Sequence, residues 1–277
     1  MAQKQALSIG HALDVYSAGF GRIHSVFAQA VNVEIRGDMW TLLSAERADL
    51  PFSIRVASMD LNSLGLCRGN PVNVRAGFIG IGLRSTRVVV DCRAAPRWTP
   101  AREDKPTSGL GKRLDFLSAL ASPLAWRGSI RMACAVVSAL SNPHALDDVV
   151  SGVVGCGPGC TPAGDDVLIG ILAVLGSPHS GATGRAALHS LRRSLRPLLP
   201  RTTDISAHLL RQAADGLVGR AVHELVCASI GNAGTSALRE AVNRVVDTGA
   251  TSGADMCMGL LASARSFILD HDEREAA

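Results

Sequence analysis

The sequence predicts an α+β chain, with an N-terminal antiparallel β-rich layer or small barrel followed by a C-terminal helical bundle. Three observations predict it. Apolar and polar positions alternate between turn residues through the first part of the chain. A stretch rich in proline and charge, CRAAPRWTPAREDKPTSGLG (Cys92–Gly111), then breaks the alternation. Beyond it, apolar residues recur at helical spacing. The expected organisation is a β-rich domain over 1–100, a linker over 101–111 and a helical domain over 112–277.

In the front part, HSVFAQAVNVEI (His24–Ile35) reads as one strand, Gly37–Asp38 as a turn and MWTLLSA as the returning partner. FSIRVAS (Phe52–Ser58), PVNVRAGFIGIGL (Pro71–Leu83) and RVVVDC (Arg87–Cys92) are further strand candidates. Gly77, Gly80 and Gly82 predict bulges or tight curvature. In the back part, KRLDFLSALAS places Leu114, Leu117 and Leu120 on one helix face, and SIRMACAVVSALS continues as a helix. HALDDVVSGVVG carries Leu146, Val149, Val150 and Val153 at the spacing of an amphipathic helix. ATGRAALHSLRRSLRPLL, TTDISAHLLRQAADGLVGRAVHELVCAS and SALREAVNRVVDTG each read as one more.

With 277 residues, 47% of them hydrophobic, the chain is long and apolar enough to bury a sizeable core. No apolar run reaches membrane-span length and the N-terminus has no secretory h-region, so a cytoplasmic protein that does not engage a membrane is expected. The net charge of +4 is mild, aromatics are sparse and no basic run interleaves with them, which disfavours nucleic acid as a partner. The seven cysteines are scattered, and the close pair Cys156 and Cys160 has no Cys or His nearby to complete a zinc site.

The most informative stretch is GCGPGCTPAGDD (Gly155–Asp166). It is not a dinucleotide loop, because Gly155, Gly157 and Gly159 fall at every second position and follow a helix. It is not a P-loop either, because Asp165 stands where the phosphate-binding lysine belongs. It reads as a helix–loop–helix junction: Gly155 ends one helix, Thr161 caps the next and Pro162 takes its first position. Asp165 and Asp166 then sit in the first turn, where carboxylates complement the helix dipole.

The chain repeats this signature. GDDVLIGILA (Gly164–Ala173) and GADMCMGLLA (Gly253–Ala262) share the pattern G-x-D-x-x-x-G-[IL]-L-A, each with a threonine before it, Thr161 and Thr251. Both place an aspartate at a helix start, Asp166 or Asp255, and a glycine one turn later, Gly170 or Gly259, where another backbone could approach closely. Two readings follow: a pair of similar helix caps, or two related helices meeting near their N-termini with Asp166 and Asp255 converging. The free N–H groups of two helix starts suit an anion. A third start, RTTDISAH (Arg201–His208), adds Arg201, Thr203 and Ser206.

GCGPGCTPAGDDVLIGIL, TTDISAHLLRQAADG and GATSGADMCMGLLA resemble the signature segments of the AllH-type subunit of oxamate carbamoyltransferase, and HSVFAQAVNVEI and PFSIRV extend the resemblance into the front part. The positions that match are Gly157, Pro158, Gly159, Thr161, Pro162, Gly164, Asp165, Asp166, Thr203, Ser206, Ser252, Gly253 and Asp255. The resemblance implies a subunit working with two other proteins in purine-ureide (allantoin) nitrogen catabolism, moving a carbamoyl group between phosphate and oxamate. The expected ligand is a small anion, carbamoyl phosphate or oxamate-like. Asp165, Asp166 and Asp255 are the candidate catalytic residues. Gly157, Gly159, Thr161, Gly164, Arg201, Thr203, Ser206, Ser252 and Gly253 are the candidate substrate contacts. Two other readings stay open. One is a hydrolase or phosphotransfer enzyme holding magnesium or manganese on Asp165, Asp166 and Asp255; the other is a non-catalytic scaffold subunit.

Overall fold

A computed structural model of the chain describes residues 2–57, 65–83, 88–102 and 108–269. Residues 1–100 and 101–277 form two compact units. In the first unit the strands are β1 (Ala2–Gly10), β2 (Gly19–Val26), β3 (Ala30–Ile35), β4 (Asp38–Ser44), β5 (Ser53–Val56), β6 (Pro71–Arg75), β7 (Phe78–Ile81), β8 (Val88–Asp91) and the short β9 (Arg97–Trp98). Neighbours run β5-β4-β3-β2-β6-β7-β8-β1, and β5 pairs back onto β1, so eight strands close a barrel with β9 added beside β1. Closure removes the open edges of a sheet. Ile23, Val31, Val33, Leu42, Ile54, Val74, Ile79 and Val90 are among the buried residues that form the barrel core.

The hairpin β3–β4 pairs Ile35 with Asp38 around Arg36 and Gly37, both at positive φ. β6–β7 repeats the device with Ala76 and Gly77, a two-residue turn whose twist matches that of the strands. The details depart from the sequence-based expectation in five places. His24–Ile35 is two antiparallel strands, because the chain turns between Val26 and Ala30. Pro71–Leu83 is likewise two, β6 and β7, because it turns at Ala76–Gly77. The barrel is not purely antiparallel: β1–β8, β4–β5 and β1–β9 are parallel. The register shifts fall in β1 and β2, whereas Gly80 pairs regularly with Asn73 and Val89. β1, which completes the ring, carries no strand signal in the reading above. Ser58 and Arg87, at the ends of two expected strands, and 103–107, within the expected linker, lie outside the described residues.

The second unit contains α1 (Leu110–Ala121), α2 (Ser129–Ala139), α3 (Pro143–Val153), α4 (Ala163–Leu175), α5 (Gly181–Leu195), α6 (Asp204–Ala214), α7 (Arg220–Ile230), α8 (Thr235–Val246) and α9 (Ser252–Ala264). The buried face of α1 is Leu110, Leu114, Leu117 and Ala121, with Leu120 turned partly outward, because a strict three-residue repeat drifts around a helix with 3.6 residues per turn. The segment expected as one helix over 202–229 is two, α6 and α7, separated at Asp215–Gly219, with Gly216 at positive φ ending the first. Among the described residues no single helix is long and apolar enough to cross a membrane.

α4 is buried on every side, and α9 on nearly every side; each packs against the other and against α2. Their crossing is set by two glycines. A Cβ on Gly170 would lie 2.0 Å from the Met256 carbonyl oxygen, and one on Gly259 would lie 2.0 Å from that of Val167. The contacts are reciprocal: each glycine faces the residue three before, and the one after, its counterpart. Two further glycines seat each helix on the one before it, Gly164 against the Val153 carbonyl ending α3 and Gly253 against the Val245 carbonyl of α8. The repeated signature is thus a repeated helix start, each seated on a carbonyl of the helix before it.

Gly170→Ala should therefore destabilise the protein by about 2 kcal/mol or more, although alanine is the better helix former. Gly152→Ala, at an exposed position of α3 with nothing within 4 Å of an added Cβ, should instead stabilise by about 0.5–1 kcal/mol. Urea unfolding of the two variants checks both signs.

Candidate functional site

The start of α4 differs by one residue from the sequence-based expectation. Pro162, not Thr161, is the N-cap: its carbonyl accepts the N–H groups of Asp165 (2.9 Å) and Asp166 (3.1 Å). That releases the Thr161 hydroxyl, which lies 2.8 Å from the hydroxyl of Ser252 at the start of α9. The loop before it holds Gly155, Gly157 and Gly159 all at positive φ, which explains their alternation. No acceptor among the described residues takes the N–H of Gly157, Gly159 or Cys160. Thr203 fixes this loop by donating its hydroxyl to the Cys160 carbonyl (2.6 Å) while accepting the Ser206 N–H (3.1 Å) as the N-cap of α6.

Asp165, Asp166 and Asp255 are all fully buried, yet their surroundings differ. Asp165 accepts from the Gly155 N–H (2.9 Å), the Ser206 hydroxyl (2.6 Å) and the Thr202 hydroxyl, so it ties the end of α3 and the start of α6 to α4. One oxygen of Asp255 accepts from the Trp126 N–H (2.7 Å) and the Ser129 hydroxyl (2.6 Å), tying the start of α2 to α9. Its other oxygen has no partner. Both oxygens of Asp166 lack a partner at bonding geometry. The nearest hydroxyls, Ser252 and Thr161, are close enough to favour its charged form but are hydrogen-bonded to each other.

Burial pushes the Asp166 carboxyl up to about 8, outweighing the pull of the Ser252 hydroxyl; the charges of Asp255 and Asp165 add smaller amounts to the rise, and Thr161 takes a little back. A carboxyl in such a place is neutral at physiological pH and acts as a hydrogen-bond donor. The buried Cys257 thiol, also facing Asp255, is pushed up to about 12.

The site residues expected from sequence do not all gather here. Thr161, Ser252, Asp166 and Asp255 come together where α4 and α9 begin, with Gly157 and Gly159 in the adjoining loop. Thr203 and Ser206 border that loop through Cys160 and Asp165. Gly164 and Gly253 face the preceding helices, where their missing side chains make room for carbonyls. Arg201 is exposed and donates to the Ser151 hydroxyl of α3. Sequence reasoning missed Ser129, a helix-start hydroxyl of the kind that singled out Thr203 and Ser252. Thr202 and Thr203 were both possible caps of α6; Thr203 caps it, and the Thr202 hydroxyl goes to Asp165.

Two cavities lie along α5, one of about 830 Å³ lined by His189, Arg192, Arg193, Arg196 and Pro197, and a smaller one reaching Arg211 and Asp215. The donor set does not fit a metal ion: among the described residues no three His, Cys, Asp or Glu side chains are arranged to hold one, and Asp165 already spends its oxygens on three donors.

A family model described as oxamate carbamoyltransferase subunit AllH matches residues 153–264, which span the glycine loop, α4 and α9. A second, the AllH family N-terminal domain, matches residues 5–97 of the barrel. The chain belongs to the AllH family. No solved structure matches it. Within this AllH-family chain, the first model covers all the candidate site residues and the second coincides with the β-rich unit.

The shifted Asp166 carboxyl ties stability to pH. Unfolded, it releases its proton near 3.8; folded, it keeps it to about 8. Between those values the folded state binds more protons than the unfolded one. Its contribution to stability is therefore full below about pH 4 and is lost progressively as pH rises to about 8, by at most about 1.4 kcal/mol per pH unit. Asp166→Asn removes this slope, so its melting temperature relative to the wild type should rise steadily from acid to mildly alkaline pH. Thermal melts across that range read the difference.

Proposed function

We propose that this chain is a subunit of an oxamate-type carbamoyltransferase and binds a small anion, carbamoyl phosphate or oxamate, where α4 and α9 begin. The observation that carries the reading is the contact between the Thr161 and Ser252 hydroxyls, from two helix starts, above a buried Asp166. The N–H groups of Gly157, Gly159 and Cys160 supply further donors, and helix N-termini favour negative charge. In the transfer, the oxamate nitrogen attacks the carbamoyl carbon and a C–N bond forms. The C–O bond to phosphate breaks, the nitrogen loses a proton and phosphate leaves. Preorganised donors hold the anion and the oxyanion formed on attack. Asp166 faces the hydroxyl pair as a neutral acid, while Asp165 and Asp255 position the neighbouring helix starts. Other protein subunits complete the enzyme.

The second reading is a non-catalytic scaffold subunit. Carbamoyl transfer from carbamoyl phosphate to oxamate, measured with the chain and its partner subunits together, separates the two. Thr161→Ala and Ser252→Ala should each raise the KM for the anion about tenfold to a hundredfold, the worth of one hydrogen bond to a charged group. Unchanged kinetics in both variants would favour a scaffold.

A further inference from the structure

Two hydroxyls in contact have two hydrogens between them. One lies in the Thr161–Ser252 hydrogen bond at 2.8 Å, and the second is free to point outward or inward. Beneath the pair is a carboxyl with no donor of its own, 0% exposed. Thr161 and Ser252, whose hydroxyls act on Asp166, are themselves half-buried. We propose that Asp166 sets the direction of this hydrogen-bond chain: neutral, it makes the hydroxyl pair a donor to a bound anion, and ionised, it turns the pair into an acceptor that rejects one. The proposal rests on the reading that a small anion binds at these helix starts, and it deepens that reading by assigning how the anion is admitted.

The direction follows from donor and acceptor inventory. A neutral Asp166 gives its O–H to one hydroxyl oxygen. That hydroxyl donates to the other, which points its own hydrogen outward. When the proton leaves Asp166 for solvent, the carboxylate takes the nearer hydroxyl's hydrogen, the second hydroxyl donates to the first, and only lone pairs face outward. The two states differ by one proton, the rotation of two hydroxyls and the turn of the Asp166 side chain that brings it into bonding geometry with the nearer one.

The neighbouring groups confine this role to Asp166. Asp165 is saturated by Gly155, Thr202 and Ser206, and Asp255 is held by Trp126 and Ser129. The titratable groups that act on Asp166 are Asp255 from α9 and Asp165 on its own helix. α2 and the start of α6 turn hydroxyls to this cluster, Ser129 from the first and Thr202 and Ser206 from the second. Cys257, on α9, stays a neutral thiol. Burial and two like charges keep the proton on Asp166 through neutral pH. Asp166 is thus a positioning residue acting through Thr161 and Ser252.

Calorimetric titration of the full chain with oxamate, which has no group titrating in this range, tests the proposal at about pH 6.5 and about pH 9.5 at constant ionic strength. Wild-type affinity should fall by more than about tenfold between the two. Asp166→Asn, whose amide N–H donates at any pH, should show the same affinity at both, and Ser252→Ala, which cuts the chain, should lose the pH step as well. Equal wild-type affinity at the two pH values overturns the proposal and leaves the anion site standing. A pH step that persists in Asp166→Asn assigns it to another group and also overturns the proposal. Oxamate binding by neither protein at either pH removes the anion site itself, and the proposal with it.

Discussion

Backbone-to-backbone contact between α4 and α9 is the constraint on which the helical unit depends. Gly170 and Gly259 let each helix press against carbonyls of the other at a distance no side chain permits. Glycine inside a helix costs about 1 kcal/mol in propensity, so the contact has to return more than that through packing. It does so by burying nearly every residue of both helices. Gly164 and Gly253 extend the same device to carbonyls of α3 and α8.

Close approach at the crossing has an electrostatic consequence. Both helices begin nearby, so Asp165, Asp166 and Asp255 are sealed in one region without solvent. A buried charge is tolerated when hydrogen-bond donors replace its water. Asp165 and Asp255 obtain those donors from the starts of α6 and α2, and in doing so bind these helices to the central pair. Asp166 obtains none, and its proton takes the place of the missing donors. One fold constraint thus yields two structural carboxyls and one neutral acid beneath a pair of hydroxyls, an arrangement that packing alone would not require.

Much of this was legible in the residues, and what was not has a common cause. The change of texture near Cys92 and the returning strand after Gly37 follow from local chemistry, and both appear in the structure as expected. The duplicated G-x-D-x-x-x-G pattern pointed to close approach at Gly170 and Gly259, because a helix interior has no other use for glycine there. Barrel closure by β1 and β5 was not legible, since it depends on pairing across more than forty residues and on no local signal. Thr161 looked like a cap, yet its hydroxyl goes to Ser252, ninety-one positions on. The carboxyls of Asp165 and Asp166 looked interchangeable, being adjacent in one helix turn. They differ because Thr202 and Ser206 reach one and not the other.

The central claim is that the crossing of α4 and α9 leaves one buried acid, Asp166, neutral at physiological pH. Carbon-13 NMR titration of the aspartate carboxyl carbons tests it most directly. The account predicts one carboxyl still protonated at neutral pH, titrating near 8 and absent from the spectrum of Asp166→Asn. If no aspartate carboxyl titrates near 8, Asp166 is ionised at neutral pH and the account is wrong.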